Sequence, residues 1–285
     1  MHIRKIEKII RAQAISEGAG VTVHRTIGTQ ALKNLDPFLM LDHFGSENPN
    51  EYIAGFPDHP HRGFVTLTYM LNGNMQHKDS MGNTGNLSAG GAQWMKAASG
   101  VIHSEMPQQE KGLMRGFQLW INLPACEKMS EPAYQELTSN SIPEFKMEGM
   151  TVRILSGIFK GVSGVIEDSN TNTFYLDVSL SQQTQFEFDT PLTHACFFYV
   201  YEGRVESDSQ LLEQHHLAVM GTGEKILIRS LSDNARLIVV GGRPIEEPIV
   251  QYGPFVMNTR TEIEQAFRDY HSGHLVQKKA SKKER

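Results

Sequence analysis

Residues 55–63 read GFPDHPHRG and place two histidines, His59 and His61, two positions apart. In an extended strand, residues i and i+2 project from the same face, about 6.5–7 Å apart along the chain. Two imidazoles at that spacing can converge on one metal ion at about 2.1 Å each. Pro60 between them holds His59 in extended backbone and offers no N–H to a strand ladder. The stretch therefore predicts a β-strand that carries a pair of metal ligands.

A second pair with the same spacing follows further along the chain. Residues 99–107 read SGVIHSEMP, in which His103 and Glu105 stand two apart after a Ser-Gly turn. An HxH pair alone is frequent by chance, but one ion bound by both pairs would account for four residues at once. The resulting set of three nitrogens and one carboxylate has no sulfur. It suits Fe(II) best among catalytic metals, with Mn, Ni and Zn as alternatives.

Short apolar runs separated by Gly, Asn and Pro recur along the chain and predict an all-β fold, a sandwich or barrel. A capping box of Thr259 and Glu262 indicates one amphipathic helix at 259–270. The strands predicted with most support are 64–71, 114–122, 151–158, 173–180, 195–201, 225–229 and 236–240.

The chain contains a weak internal repeat. Residues 68–75, TYMLNGNM, resemble residues 198–205, FYVYEGRV, and in each a strand runs into a turn glycine, Gly73 or Gly203. Two copies of one β-domain would explain the spacing, and chance similarity between two strands is the alternative.

The boundary between the two domains is expected in a polar segment that contains two prolines. We place a linker at 131–149, between an N-terminal metal-binding domain at 1–130 and a C-terminal metal-free domain at 150–270. The remaining residues, 271–285, end in a run of Lys and Arg and are predicted to form a disordered basic tail.

The composition argues against several classes of function. The 285 residues carry a net charge of -5, which disfavours direct nucleic-acid binding through bulk charge. No apolar run is long enough to span a membrane, and no signal peptide is evident, so we expect a cytoplasmic protein, or a nuclear one in a eukaryote. Cys126 and Cys196 lie outside any metal-ligand spacing and are expected to be free, buried thiols.

Three further residues are candidates for contact with a substrate. Phe56 and Phe64 flank the predicted ligand strand and are candidates for the wall of an apolar pocket, although core packing is the usual role of such rings. Gln118 is a candidate polar group at the cavity. His77 follows a strand and a turn, so it is expected either beside the site or on the surface.

Five separated motifs resemble those of the pirin family, in the same order: GFPDHPHRGF, QWMKAASGVIHSEMP, FQLWINLP, KMSEPAYQEL and GPFVMNTRTEI. The resemblance runs from Arg4 to Asp269. It implies a bicupin, two face-to-face jelly-roll β-barrels with a short C-terminal helix. It also implies that the N-terminal barrel holds one iron and that the C-terminal barrel holds none. The family's ligands fall on His59, His61, His103 and Glu105.

The resemblance implies two different functions. Some pirins are similar to dioxygenases that open flavonols such as quercetin with O2 and release carbon monoxide. In that case Glu105 would be catalytic and accept the 3-hydroxyl proton. Other pirins are described as redox-sensitive iron proteins that regulate a transcription factor, and bacterial members have been linked to metabolic enzymes as partners. We prefer the enzyme, acting as a monomer, although the same ligands would serve both functions.

The sequence departs from the family pattern at Val65, where many pirins have Glu. Because the resemblance assigns the carboxylate ligand to Glu105, we expect the metal site to survive and the change to alter either the residues around the ligands or the packing of the strand. A second departure is the run Gly90-Gly91-Ala92, where an acidic turn residue is common in the family.

Overall fold

The computed structural model describes residues 2–277 and 281–282 and is built almost entirely of β-strands. The first half forms β1 (Ile6–Arg11), β2 (Gln13–Glu17), β3 (Val21–Arg25), β4 (Phe38–Ser46), β5 (Phe56–His61), β6 (Phe64–Asn72), β7 (Asn74–Asp79), β8 (Thr84–Ser88), β9 (Ala92–Lys96), β10 (Val101–Pro107), β11 (Met114–Asn122), α1 (Ala125–Lys128) and β12 (Ala133–Leu137). The second half forms β13 (Glu144–Met147), β14 (Met150–Ser156), β15 (Ile158–Phe159), β16 (Val162–Ser163), β17 (Phe174–Ser181), β18 (Gln185–Asp189), β19 (Ala195–Glu202), β20 (Arg204–Ser207), β21 (Gln210–Glu213), β22 (His216–Met220), β23 (Lys225–Ser230), β24 (Asn234–Gly242), β25 (Val250–Tyr252), β26 (Phe255–Met257), α2 (Arg260–His271) and β27 (Ser281–Lys282). The seven predicted strands fall on β6, β11, β14, β17, β19, β23 and β24.

The chain divides into two compact units. The unit that we call N-terminal contains residues 14–25, 38–139 and 245–277, and the C-terminal unit contains the rest of the described chain up to Pro244. Each unit is a β-barrel built of a large and a small sheet. In the N-terminal unit the orders are β2-β3-β4-β11-β6-β9-β12-β27 and β5-β10-β7-β8. In the C-terminal unit they are β1-β22-β19-β24-β17-β14-β13 and β18-β23-β20-β21. The all-β prediction of two barrels is confirmed.

The units differ from the predicted domain boundaries at several places, among them residues 26–37, which belong to the C-terminal unit. The predicted linker, 131–149, contains β12, which pairs with β9, and β13, which pairs with β14. Residues 245–270 belong to the N-terminal unit, and β1 belongs to the C-terminal unit. The physical reason is burial: within the polar linker segment, Tyr134 and Leu137 of β12 are buried.

The predicted tail is described in part. Helix α2 ends at His271, and Leu275 beyond it is buried in the core of the N-terminal unit. Residues 278–280 and 283–285 lie outside the described residues. The structure therefore leaves 271–277 as part of the packed chain rather than of a disordered tail.

The internal repeat is reproduced by the strand order. β6 turns at Gly73 into β7, and β19 turns at Gly203 into β20; both glycines have a positive φ, 85° and 73°. Each first strand pairs with the equivalent neighbour, β6 with β9 and β19 with β22. The small sheets follow the same order, so β18 and β23 are the counterparts of β5 and β10.

The counterpart strands of the C-terminal unit carry apolar side chains. Phe186 and Phe188 on β18 and Ile226 and Ile228 on β23 belong to one buried core cluster. In the described part of the C-terminal unit taken alone, no three potential metal-ligating atoms lie within 4.8 Å of one another. Apolar side chains therefore fill the interior of this barrel.

Helix α2 begins as predicted. The side chain of Thr259 accepts a hydrogen bond from the backbone N–H of Glu262, and Glu262 accepts one from the N–H of Thr259 at 2.8 Å. Both cysteines are free, but Cys126 is exposed on α1 rather than buried as expected. Among the described residues, no helix is both long enough and apolar enough to cross a membrane.

Candidate metal centre

The two sequence pairs meet on adjacent antiparallel strands. In the register of β5 and β10, His103 lies directly opposite His59. The ring centroids are 4.3 Å apart for His59 and His103, 4.7 Å for His59 and His61, and 4.9 Å for His61 and His103. Potential ligand atoms of the three rings all lie within 4.8 Å of one another. This cluster could hold a metal ion.

Backbone carbonyls orient two of the rings. Nδ1 of His59 lies 2.8 Å from the carbonyl oxygen of Pro57, and Nδ1 of His61 lies 3.4 Å from that of Pro254. A carbonyl oxygen can only accept, so in each neutral ring Nδ1 carries the proton. The lone pair is then on Nε2, which is the form of the ring that binds a metal through that atom.

Burial favours the neutral form of two rings. It lowers the pKa of His61 and of His103 well below the ordinary value of histidine, and the charge of neighbouring histidines lowers both further. Both side chains are almost completely buried, whereas His59 is partly exposed. Near neutral pH the two buried rings are uncharged, as ligation of a cation requires.

The third ring is held differently. Nδ1 of His103 lies 3.3 Å from Nδ1 of His77, and Nε2 of His77 lies 3.3 Å from Oδ2 of Asp79. Nε2 of His103 is buried and has no hydrogen-bond partner among the described residues. A buried polar atom without a partner costs free energy, and a metal ion among the three rings would satisfy it. The donor set therefore fits a metal.

Glu105 lies beside the cluster rather than within it. A bulge between β5 and β10 shifts the register after His103, so that Glu105 stands opposite Phe56. Nε2 of Gln118 donates to one carboxylate oxygen of Glu105 at 3.2 Å, and Oγ1 of Thr68 lies 3.1 Å from the other. The same hydroxyl lies 2.7 Å from Oε1 of Gln118, and its single proton can go to either acceptor. The carboxylate is held at the wall of the cavity.

A cavity of about 650 Å³ opens beside these groups within the N-terminal unit. It is lined by two of the three histidines, His59 and His61, and by Glu105, Gln118 and Phe56. The cavity is also lined by Met40, Phe44, Met75, Trp120 and Pro254. The volume is that of a pocket for a small organic molecule.

Phe64 lies behind the cavity. It is fully buried and packs against His61, with ring centroids 5.0 Å apart, and against Trp120 at 4.2 Å. The ring of Phe64 packs against His61 on the side away from the cavity, so Phe64 has a packing role. Phe56 and Gln118 are placed at the cavity surface, as the sequence suggested.

At the site, Arg25, Asp42, Glu17 and Asp79 were not predicted from the sequence, whereas a place beside the site was one of two alternatives for His77. Arg25 donates to both oxygens of Asp42, at 2.7 and 2.6 Å, and contacts Glu17 at 2.9 Å, and all three line the cavity. No local pattern marks them. His77 and Asp79, by contrast, have the same i, i+2 spacing as the two ligand pairs, and that spacing could have identified them.

Buried cations next to strand β5 anchor the C-terminal segment, residues 245–277, within the N-terminal unit. Arg62, directly after His61, is buried and donates to the carbonyl of Ser99 and to the carboxylate of Asp269, each at 2.7 Å. Lys128 is also buried and donates to the carbonyls of Gly63 and Val256. Gly63 has φ 92° and lies so close to Val256 that a Cβ would collide with its carbonyl.

The departure at Val65 lies on the far side of β6. Side chains alternate along a strand, so Val65 points away from the face on which Thr68 reaches Glu105. Val65 is buried and pairs with Ile121 and Lys96 in neighbouring strands. The change therefore affects packing behind the sheet rather than the cavity.

Comparisons with known proteins agree with this geometry. The family model described as Pirin matches residues 20–121, and the model described as Pirin C-terminal cupin domain matches residues 175–276. A pirin-like protein of Caulobacter vibrioides is 45% identical over 277 residues, covering 96% of this chain and 100% of that protein.

Two solved structures share the fold. A crystal structure of quercetin 2,3-dioxygenase from Acinetobacter baumannii aligns with a TM-score of 0.89 at 30% identity, over 96% of this chain and 99% of that one. A bacterial pirin from Escherichia coli, crystallised with nickel(II), aligns with a TM-score of 0.65 at 20% identity, over 83% of this chain and 98% of that one, a likeness of fold. With its two cupin barrels and the histidine cluster in the first of them, this chain belongs to the pirin family.

Proposed function

We propose that this protein is a metal-dependent dioxygenase that opens flavonols such as quercetin with O2 and releases carbon monoxide. One ion, Fe(II) in our proposal with Mn, Ni or Zn as alternatives, would be held by His59, His61, His103 and Glu105. The observation that carries the proposal is a cluster of three histidines beside a cavity of about 650 Å³, which two of them and the buried carboxylate of Glu105 line. The similarity to the quercetin 2,3-dioxygenase of Acinetobacter baumannii and the nickel(II) in the Escherichia coli pirin support it.

The bound ion would supply a Lewis acid that holds the 3-hydroxyl and 4-oxo oxygens of the flavonol and makes the hydroxyl more acidic. Glu105 is the group that takes the hydroxyl proton. Gln118 and Thr68 hold the carboxylate by hydrogen bonds, so it is oriented before the substrate arrives. General bases of this kind contribute about 10²–10⁴-fold to a rate.

The cavity walls fit a flat aromatic molecule with polar edges. Phe56, Trp120 and Met40 give apolar surface for the rings. Asp42 and Glu17, although engaged by Arg25, retain lone pairs that can accept hydrogen bonds from ring hydroxyls. A polyphenol matches both features, which supports a flavonol over a purely aliphatic substrate.

The experiment is turnover by the metal-loaded protein. Protein stripped of metal is loaded with Fe(II) without oxygen and then mixed with quercetin and O2, and loss of flavonol absorbance is followed. We expect turnover that requires the metal and disappears with a chelator. If the loaded protein binds iron and leaves every flavonol tested intact, the alternative of a redox-sensitive regulatory protein replaces this proposal.

A further inference from the structure

The hydrogen-bond partner of His103 differs in kind from those of the other two rings. His59 and His61 face carbonyl oxygens, which always accept. His103 faces Nδ1 of His77, a ring nitrogen that is a donor in one tautomer and an acceptor in the other. The position of the proton on His103 is therefore decided by His77.

His77 is in turn controlled by Asp79. Oδ1 of Asp79 accepts from the backbone N–H of Met81 at 2.9 Å and of Asn83 at 3.0 Å, and Oδ2 accepts from Nδ2 of Asn83 at 2.8 Å. These donors hold the carboxylate with Oδ2 directed at Nε2 of His77, 3.3 Å away. Burial raises the pKa of Asp79, but the hydrogen bonds from His77 and Asn83 outweigh it and leave that pKa below its ordinary value.

The ring of His77 has little freedom to turn. It is buried and stacks on Tyr134, with ring centroids 4.9 Å apart and planes 24° from parallel. A carboxylate can only accept, so in the neutral ring of His77 Nε2 carries the proton and Nδ1 has the lone pair. That lone pair accepts from Nδ1–H of His103, which leaves the buried Nε2 of His103 unprotonated and able to bind a metal.

We infer that Asp79 and His77 are positioning residues that fix the tautomer of His103 and so make its Nε2 a metal ligand. The inference rests on the proposed metal site but not on flavonol turnover. Partners of this kind behind a metal-binding histidine typically change metal affinity by about 10–100-fold when they are removed.

Asp79→Asn reverses the direction of the chain of hydrogen bonds. Oδ1 must remain an oxygen to accept from the two backbone N–H groups, so the new amide nitrogen takes the place of Oδ2 and faces His77. The side-chain amide of Asn83, which donates to Oδ2 in the wild type, turns to offer its oxygen to that nitrogen. That nitrogen donates to Nε2 of His77, which moves the proton of His77 to Nδ1. Nδ1 of His103 must then accept, and its proton moves to Nε2, the atom needed by the metal.

The test is the tautomer of His103 in protein labelled with 15N-histidine. Long-range 1H–15N spectra of the metal-free wild type should show a proton on Nδ1 of His103, and those of Asp79→Asn a proton on Nε2. Glu136→Gln is the matched control. It also replaces an acid by its amide near Tyr134, but Glu136 takes no part in the hydrogen bonds from Asp79 through His77 to His103. An unchanged tautomer in Asp79→Asn would overturn the inference, whether or not the protein turns over a flavonol.

A second measurement separates positioning from general structural damage. Zn²⁺ affinity, measured by competition with a chelator, should fall about 10–100-fold in Asp79→Asn and remain unchanged in Glu136→Gln. His77→Phe keeps the stacking on Tyr134 but removes the hydrogen bonds that link Asp79 to His103. In that background Asp79→Asn should cause no further loss. An additive loss would mean that Asp79 acts independently of His77, which contradicts the inference.

Discussion

Glu105 accepts a hydrogen bond of 3.2 Å from Nε2 of Gln118, and this contact holds its carboxylate at the cavity wall beside the three histidines. The contact joins two strands that follow one another in sequence but lie in different sheets, β10 in the small sheet and β11 in the large one. It gives Glu105 a fixed orientation that is independent of the ion, so its role as a base can be tested separately from its role as a ligand.

The first prediction concerns the charge of Glu105. Glu105→Gln keeps the size of the side chain but removes its charge and basicity. Because three histidines remain, we expect metal binding to weaken modestly and turnover per bound iron to fall by about 10²-fold or more. Iron content and turnover are measured on the same samples. Equal turnover per iron in variant and wild type would restrict the carboxylate to a structural role.

The second prediction concerns the donor of that hydrogen bond. Gln118→Met preserves volume but removes the N–H that holds Glu105. Losing a hydrogen bond to a charged group costs about 1.5–3 kcal/mol, so turnover should fall about 10–100-fold. Metal content should be unchanged, since the hydrogen-bond partners of the Gln118 side chain are Glu105 and Thr68 and the three histidines keep their positions. A loss of metal as large as the loss of turnover would refute this assignment.

The third prediction locates the metal. His103→Ala removes one of three converging nitrogens, and the remaining ligands should hold the ion too weakly to survive dialysis. His194→Ala is the matched control, because His194 in the C-terminal unit hydrogen-bonds the carbonyl of Asn172 and belongs to no metal-ligating group within that unit. Elemental analysis should give one equivalent for the wild type and for His194→Ala. Metal loss in His194→Ala would place a site in the C-terminal barrel.

The fourth prediction concerns a buried lysine that anchors the C-terminal segment. Lys128 donates to Gly63, Val256 and Asn122. Lys128→Met leaves these acceptors without their donor, and we expect a loss of about 2–4 kcal/mol in the free energy of unfolding near neutral pH. Urea titration of both proteins measures it.

The same pair of proteins gives a pH dependence. Burial lowers the pKa of Lys128 to about 8, although Glu247 and Glu262 act to raise it. Above about pH 8 the folded protein releases a proton that the unfolded chain keeps until its ordinary pKa, so this group adds stability as pH rises. The difference in the free energy of unfolding between wild type and Lys128→Met should increase by roughly 1.4 kcal/mol per pH unit from pH 8 to 10. If this difference decreases over that pH range, the lowered pKa of Lys128 is contradicted.

Local patterns predicted much of the fold. The seven strands, the capping box at Thr259 and the repeat through Gly73 and Gly203 each depend on residues close together in sequence, where periodicity and turn chemistry act. The same applies to the i, i+2 pairs, since a strand fixes which side chains share a face. Phe56 and Gln118, which line the cavity, were only candidates from the sequence, and Phe64, proposed beside them, lies behind it.

Features that depend on distant pairing could not be predicted. β12 lies in a polar segment and becomes a strand because β9 pairs with it. β1 joins the C-terminal unit through β22, and residues 245–277 join the N-terminal one, without any local signal. The bulge that moves Glu105 opposite Phe56 is likewise set by the partner strand. The salt bridge of Arg25 and Asp42 depends on β3 and β4 lying side by side.

Carbon monoxide released in a single turnover tests the proposed function most directly. Protein loaded with one Fe(II) per chain is mixed with quercetin in slight deficit and with excess O2, and the gas is quantified. The account predicts one carbon monoxide released and one O2 consumed for each quercetin, with His103→Ala inactive. If wild-type protein that retains its iron consumes quercetin without releasing carbon monoxide, or consumes none, the dioxygenase proposal is wrong.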